Sequence, residues 1–501
     1  MAVWAVSLLL VDAFGRTIPR VIGSPSHQRK QAPSVTRSPK VPYILGTLVV
    51  AAMIMILNET VLSVALPAIM ADFGVTADVV QWLATGFLLT MSVVIPTTGF
   101  LLQRFSTRAN FLGAVGLFTL GTVLCALASQ FWVLLAGRVL QASGTAIVLP
   151  LLMTATLTLV EPAKQGRMMG INSVVISVAP AIGPTLSGII LNRLTWHWLF
   201  WTVVPIAAIA LVVGAALMTN FNETAKAPFD AVSVFLSALA FGGVVYGLST
   251  LRHLVDGAIV PLVALAVGLV VLAIFTRRQL RLAPRHHALL DLSPFATRNF
   301  TISTIMLMLG LAALLGMVNV LPIYLQRSLL VSTLVTGLAL LPGGLLQGAV
   351  SPFVGRAYDS LGPRPLIIPG ALLMLASMVA AHFCFTADAR VAVVIAVHTA
   401  FCIGLALVMT PLMTVSLASL PQRLYGHGSA IVNTLQQLGG ALGTATMIGV
   451  LTITASSPAP ADQARGTTAA FVVGCAIALA IAVLSFFVTP ARESSSVATK
   501  A

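Results

Sequence analysis

Leu57-Asn58-Glu59-Thr60-Val61-Leu62-Ser63-Val64-Ala65-Leu66-Pro67 closes an apolar run that begins near Val41. A run of about 20 apolar residues is the length that crosses a bilayer as a helix. Glu59 stands inside it, and it is the one carboxylate that the sequence places within any hydrophobic span. An acid at that depth is costly and marks a functional site unless it is locked in a permanent ion pair. Hydrocarbon disfavours its charged form, so a carboxyl group here suits loading and releasing protons, or contacting a cation. Asn58 and Thr60 flank it with polar groups.

The whole chain repeats the character of this stretch. Its 501 residues have a mean hydropathy of +1.02, and only 8% are charged, against about 25% in soluble domains. The chain is therefore a polytopic all-α membrane protein. Its long uninterrupted runs exclude a β-barrel, whose strands alternate in short segments. Fourteen apolar spans are expected, at about 42–67, 79–102, 109–129, 131–157, 168–191, 198–219, 230–250, 258–277, 300–325, 334–356, 365–386, 390–414, 428–452 and 467–489.

Charge orients the spans. Most of the 27 Lys and Arg residues fall in the tails and in alternate loops, and excess basic residues mark cytoplasmic loops. Only Arg193, Arg252, Arg327, Arg390 and Arg465 fall in the opposite set of loops, and Arg138 lies within a span. Both termini are expected in the cytoplasm. The net charge of +14 thus reflects membrane orientation and not nucleic-acid binding. Met1–Phe14 is too short to span and lacks a basic leader, so a disordered tail or a mis-assigned start is expected in place of a signal peptide.

Internal repetition sets the architecture. Gly99-Phe-Leu-Leu-Gln103-Arg104-Phe-Ser-Thr-Arg108 resembles Gly355-Arg-Ala-Tyr-Asp359-Ser-Leu-Gly362-Pro-Arg364, 256 residues later. Gly144, Met153, Thr154, Leu157 and Gly183 match Gly404, Met413, Thr414, Leu417 and Gly443 at an offset of 260. The expected organisation is a basic disordered tail (1–41), a six-helix bundle (42–219), two extra spans with a basic linker (220–299), a second six-helix bundle (300–490) and a cytoplasmic tail (491–501).

Several residues suit chemistry in this setting. Arg138 is too costly in a span without a polar surrounding. It either approaches Glu59 and favours its carboxylate form, or bonds backbone carbonyls and fixes packing. Asn58, Gln141, Gln436, Gln437 and His398 are polar side chains suited to line a substrate cavity. His398 matches Arg138 in the repeat, and a satisfied core histidine is the alternative. Pro180, Gly183, Pro184 and Gly188 suit a bent, closely packed helix at an interface that opens and closes. Asp359, Arg356 and Arg364 can cluster at helix ends and latch one conformation. Trp196-His197-Trp198-Leu-Phe200-Trp201 reads as an interfacial aromatic belt. The four cysteines form no metal-type cluster and are expected as core residues. With no Walker loop, HExxH, Ser/His/Asp set or paired intramembrane carboxylates, the chain is not expected to be an enzyme or an ATP-driven pump.

These features together resemble the major facilitator superfamily, and within it the fourteen-span drug:proton antiporters. The span 1 stretch is similar to L-D-x-T-V-x-N-V-A-L-P, with Asn58 at the aspartate position and the acid one residue later, a form that looks like the lincomycin-resistance-type branch. Gly99–Arg108 is similar to G-x-L-a-D-r-x-G-r-r, with Gln103 and Ser106 as departures. Arg138-x-x-Gln141-x-x-Gly144 resembles the span 4 motif, and Ala179–Gly188 the antiporter motif. The resemblance implies two bundles rocking about a central cavity. A proton gradient would supply the coupling ion, with no cofactor and no metal. It also implies lipophilic, often cationic, drugs as substrates, Glu59 and Arg138 as the proton-coupling pair, and a monomer in the cytoplasmic membrane. Export of one endogenous metabolite, or ligand sensing without transport, are the alternatives.

Overall fold

The computed structural model describes residues 41–220, 230–250, 257–285, 287–455 and 457–489. Its long helices are α1 (Val41–Phe73), α2 (Trp82–Arg104), α3 (Thr107–Ala126), α4 (Phe131–Leu159), α5 (Gln165–Leu191), α6 (Val203–Leu217), α7 (Ala231–Ser249), α8 (Val260–Leu282), α9 (Arg298–Arg327), α10 (Thr333–Leu361), α11 (Arg364–Cys384), α12 (Val391–Ala418), α13 (Tyr425–Thr454) and α14 (Pro460–Ser485). Among the described residues, thirteen helices are long and apolar enough to cross a membrane, the sixth counted with its lead-in turn His197–Trp201. The remaining long helix, α5, is 27 residues long, and its residues 174–191 carry no charged side chain. It runs along α10.

Three boundaries differ from the sequence expectation for physical reasons. α1 does not stop at Pro67 but continues to Phe73. A proline removes one backbone hydrogen bond, a loss that buried helices tolerate. The helix ends where Gly74 takes a left-handed φ of 63° and Val75 N–H donates to Met70 O (3.2 Å), a six-to-one closure. α14 begins at Pro460, because a proline in the first turn needs no partner for its missing N–H. α10 also runs to Leu361, which brings Asp359 into its last turn. It ends at Gly362, where φ is 79°.

The helices gather into two bundles. α1 packs on α4, α5 and α6, and α3 packs on α4 and α6. α9 packs on α13, α14 and α12, and α11 on α12 and α14. Lipid tails are as apolar as leucine, so close packing at small residues holds such helices together. At the α3–α4 contact, a Cβ on Gly121 would collide with the Gly137 carbonyl, and one on Gly144 with the Ala114 carbonyl. α7 and α8 pair with each other, and α7 also lies against α2 of one bundle and α13 of the other. At the opposite surface, the aromatic cluster is not all belt. Trp198 is exposed, whereas Trp196 is 3% exposed and its indole N–H donates to Asp72 on the extended end of α1 (2.9 Å).

Candidate functional site

The polar centre of the first bundle forms where α1, α2, α3 and α4 meet. Arg138 on α4 is 1% exposed. Its Nη1 donates to Asn58 Oδ1 on α1 (3.1 Å) and to Gln141 Oε1 one turn along α4 (2.9 Å). Its Nε reaches the Leu83 carbonyl on α2 at 3.5 Å, and its guanidinium lies 4.2 Å from the centre of the Phe87 ring. The close α3–α4 approach allowed by Gly121 and Gly137 brings Thr122 within reach of Gln141, whose Nε2 donates to Thr122 Oγ1 (2.9 Å). Thr122 in turn donates to the Phe118 carbonyl (2.7 Å). A desolvated cation–π contact is worth about 2 kcal/mol, and hydrogen bonds to a charged donor about 1.5–3 kcal/mol each. Neutral partners therefore satisfy most of this buried charge.

Glu59 borders the same centre. It lines a cavity of about 120 Å³ together with Arg138, Phe87, Leu62, Leu66 and Leu88. Among the described residues no ion pair joins Glu59 to Arg138, although the two face one cavity. Asn58 and Glu59 thus both turn toward Arg138, Asn58 by direct contact and Glu59 across the void. Drug-sized sites occupy roughly 300–1,000 Å³, so this cavity suits a few waters or a small group and not a whole drug. On the other side of α1, a Cβ on Gly183 of α5 would overlap the Thr60 hydroxyl. This part of the antiporter-type stretch therefore packs directly beside Glu59. Gly188 has open space beside it. The side chains of Pro180 and Pro184 lie outside the described residues.

The expected cavity amides divide between two places. Asn58 and Gln141 are buried and committed to Arg138 in this conformation. Gln436 and Gln437 sit on α13, where Gln437 Nε2 approaches Met91 Sδ on α2 (3.9 Å), between the bundles. His398 is 3% exposed within the second bundle, against Gly343 and Cys402, with its Nε2 3.5 Å from Cys402 Sγ. The repeat position of Arg138 is thus buried in a second core and does not join Glu59.

A second constellation closes one end of the molecule, the end carrying most basic loops. The expected charge cluster of Asp359 with Arg356 and Arg364 does not form. Asp359 instead accepts hydrogen bonds from the backbone N–H groups of Gly166 (2.8 Å) and Arg167 (2.9 Å), at the start of α5 in the other bundle. A helix N-terminus offers unpaired N–H donors and a favourable dipole for an anion, which explains the preference. Arg356 stacks over Phe353 and Arg364 donates to the Val488 carbonyl. Gly166 and Gly170 press on Gly355, Ser351 and Pro352 with no room for a Cβ on either side. In the matching first-half turn, Gly99 abuts His427 of α13, and Gln103 Nε2 reaches the Arg423 carbonyl (3.4 Å). Arg104 closes α2, and Arg108 donates to the Ala215 carbonyl (2.7 Å) within the first bundle. At the far end of the same seam, Gly188 on α5 and Gly337 on α10 meet nothing within 4 Å. The bundles are therefore closely packed at the basic end, and these two glycines stand outside the packed part of the seam.

The linker after α8 reinforces that seal, a role the sequence did not suggest. Leu289, Leu290 and Leu292 are buried with Phe100 of α2, Phe241 of α7 and Phe275 of α8. Leu290 N–H donates to Gln279 Oε1 (3.2 Å) and Asp291 N–H to His427 Nδ1 (3.3 Å). Beside it, Arg278 binds Asp230 at the start of α7 (3.0 Å). Burial works against ionisation of Asp230, but hydrogen bonds from Ser233 and Arg278, with the guanidinium charge, outweigh it and hold the carboxyl below the usual range. The Gly166-x-x-x-Gly170 spacing is a sequence signal for close helix packing. Nothing in the sequence marked Phe87 or the leucines of the linker.

The comparisons agree with this architecture. The family model described as Major Facilitator Superfamily matches residues 48–444. The lincomycin resistance protein LmrB of Listeria monocytogenes is 38% identical over 90% of this chain and 97% of its own. A multidrug resistance protein B homolog of Mycobacterium tuberculosis is 29% identical over 81% of this chain and 75% of its own. Among solved structures, the human organic anion transporter MFSD10 superposes with a TM-score of 0.66 at 13% identity, covering 89% of this chain and all of that one. The proton:xylose symporter XylE gives 0.64 at 15% identity over 90% of this chain and 96% of its own.

Proposed function

The chain belongs to the major facilitator superfamily and is a multi-pass membrane transporter, not an enzyme; on that footing we propose that it is a proton-coupled antiporter that exports lipophilic, often cationic, compounds. One observation carries the reading. A half-buried carboxyl, Glu59, faces a cavity shared with Arg138, while that arginine is held by neutral acceptors. An acid without a fixed counter-charge, in a small hydratable void, can take up and release a proton as its surroundings change. The void is too small for a drug. The substrate therefore binds between the bundles, near Gln437 on α13, which approaches Met91 on α2, and its neighbour Gln436. Proton and drug then compete through conformation and not by direct displacement.

With the basic end in the cytoplasm, both termini lie inside and the conformation described here faces outward. The membrane is the cytoplasmic one. The proton gradient is the only energy source, without cofactor or metal, and one chain suffices. Asp359 on α5 and Gly99 on His427 are the contacts that part when the transporter turns inward.

Because the Listeria relative is named for lincomycin resistance, lincomycin is the first substrate to test. Purified protein in vesicles is expected to move it faster with an imposed pH gradient, in the direction opposite to the proton. Transport indifferent to the gradient would overturn proton coupling. No exchange with any member of a drug panel would favour a ligand sensor.

A further inference from the structure

We propose that Asn58 is a positioning residue that holds Arg138 away from Glu59 in this conformation, and that proton release from Glu59 transfers the guanidinium from the Asn58 amide to the Glu59 carboxylate. The inference rests on the reading of Glu59 as the proton carrier and gives that site its switch.

The geometry has three parts. First, one nitrogen of Arg138, Nη1, divides its bonding between Asn58 Oδ1 (3.1 Å) and Gln141 Oε1 (2.9 Å), while the Phe87 ring supports the guanidinium face. Second, Glu59 lines the same void as Arg138, and among the described residues it makes no ion pair with it. A charged acceptor binds guanidinium about twice as strongly as a neutral one. An arginine that stays on an amide with a carboxyl group across the cavity matches the neutral, proton-loaded acid. Third, Asn58 and Glu59 are consecutive on one helix, separated by about 100° of rotation. The exchange is a swing of the arginine across the cavity and needs no slide of α1. The leaving proton passes to water in that cavity.

Among the described residues, the surroundings supply no competing charge. On the helices around α1, α5 carries no titratable side chain beyond Arg167, and α6 carries none. α3 offers Cys125, whose thiol donates to the Leu134 carbonyl (3.6 Å), and Arg108 at its far end. α2 has only Arg104, at its far end, and Asp72 and His197 lie near the outer surface, bonded to Trp196 and to the Ala128 carbonyl. Arg138 is therefore the charge that Glu59 responds to, and residue 58 decides how freely it can respond. An amide at 58 binds the arginine weakly enough to be outbid; a carboxylate there would not.

The test reads the Glu59 carboxyl directly. Its infrared band, identified by loss in Glu59→Gln, is titrated in the purified, reconstituted protein for wild type, Asn58→Ala and Asn58→Asp. In Asn58→Ala the released arginine reaches Glu59 at all times, and the band is lost at a pH lower by about 1 unit or more. In Asn58→Asp the arginine stays with residue 58, and the band persists to a pH higher by a similar amount. Asn58→Ser, which keeps an acceptor, remains closer to wild type than Asn58→Ala. Gln141→Ala provides the same test from the other acceptor should Asn58→Ala not fold, with the shift again to lower pH. Unshifted bands in the variants that fold, or shifts of one sign in Asn58→Ala and Asn58→Asp, overturn the role of Asn58. If Glu59→Gln transports normally, it is the functional reading that fails. If Glu59→Gln is inactive while the bands stay put, only the exchange fails.

Discussion

Asp359 Oδ1 lies 2.8 Å from the backbone nitrogen of Gly166, and its second oxygen lies 2.9 Å from that of Arg167. A side chain of one bundle thus caps a helix of the other. Removing a capping acid costs about 1 kcal/mol, within a range of about 0.5–2. Asp359→Ala is therefore expected to raise the population open at the basic end about 5-fold, with Asp359→Asn less affected. Spin-label distances between Glu161→Cys and Leu361→Cys report that opening. Identical distance distributions in Asp359→Ala and its parent would remove the cap from the account.

The glycines of the α5–α10 seam divide by position. Gly355→Val places side-chain atoms where the Gly166 carbonyl already sits, whereas Gly188→Ala and Gly337→Ala enter open space. The first is expected to abolish transport by preventing closure at the basic end. The other two are expected to stay within about 2-fold of wild type. Efflux rates in cells, normalised to membrane expression, separate these outcomes, and equal tolerance at all three sites would contradict the seal.

The linker after α8 is expected to contribute to stability, because Leu290 is 3% exposed. Leu290→Ala should lower stability by about 2–4 kcal/mol, as for other buried leucines, and reduce the thermal midpoint in detergent. A surface control such as Leu361→Ala should not. An unchanged midpoint for Leu290→Ala would mean that the linker is not part of the core.

Asp230 carries a pH dependence of known sign. Its carboxyl is held below its ordinary value in the folded protein, so its contribution is fully present above the unfolded value of about 3.9 and fades as pH falls through the lowered native value. The stability difference between wild type and Asp230→Asn is expected to be constant from pH 7 to about 5 and to shrink below about 4. A difference that grows on acidification would show that the contact with Arg278 is not the stabilising one.

Span number, the paired halves and the acid within a span could be read in advance because each leaves a linear trace: hydropathy, spacing or composition. The length of α1 beyond Pro67 left none, because the Gly74 closure and the Asp72–Trp196 bond join distant residues. Asp359 was visible as a latch residue, but its partner was not. Its acceptors bind backbone N–H groups at a helix start, which carry no residue identity. Asn58 and Glu59 looked like alternatives for one role. The structure gives them different surroundings, since helical rotation sends Asn58 onto Arg138 and Glu59 into the void beside it. Phe87 and Leu290 are ordinary apolar residues in apolar runs, and only packing distinguishes them.

The central claim is that Glu59 carries the coupled proton. Its most direct test is lincomycin efflux by Glu59→Gln in proteoliposomes under an imposed pH gradient, at matched protein content and with substrate binding checked separately. The account predicts that gradient-driven efflux is lost while the protein folds and still binds substrate. Gradient-driven efflux at the wild-type rate in Glu59→Gln would contradict it.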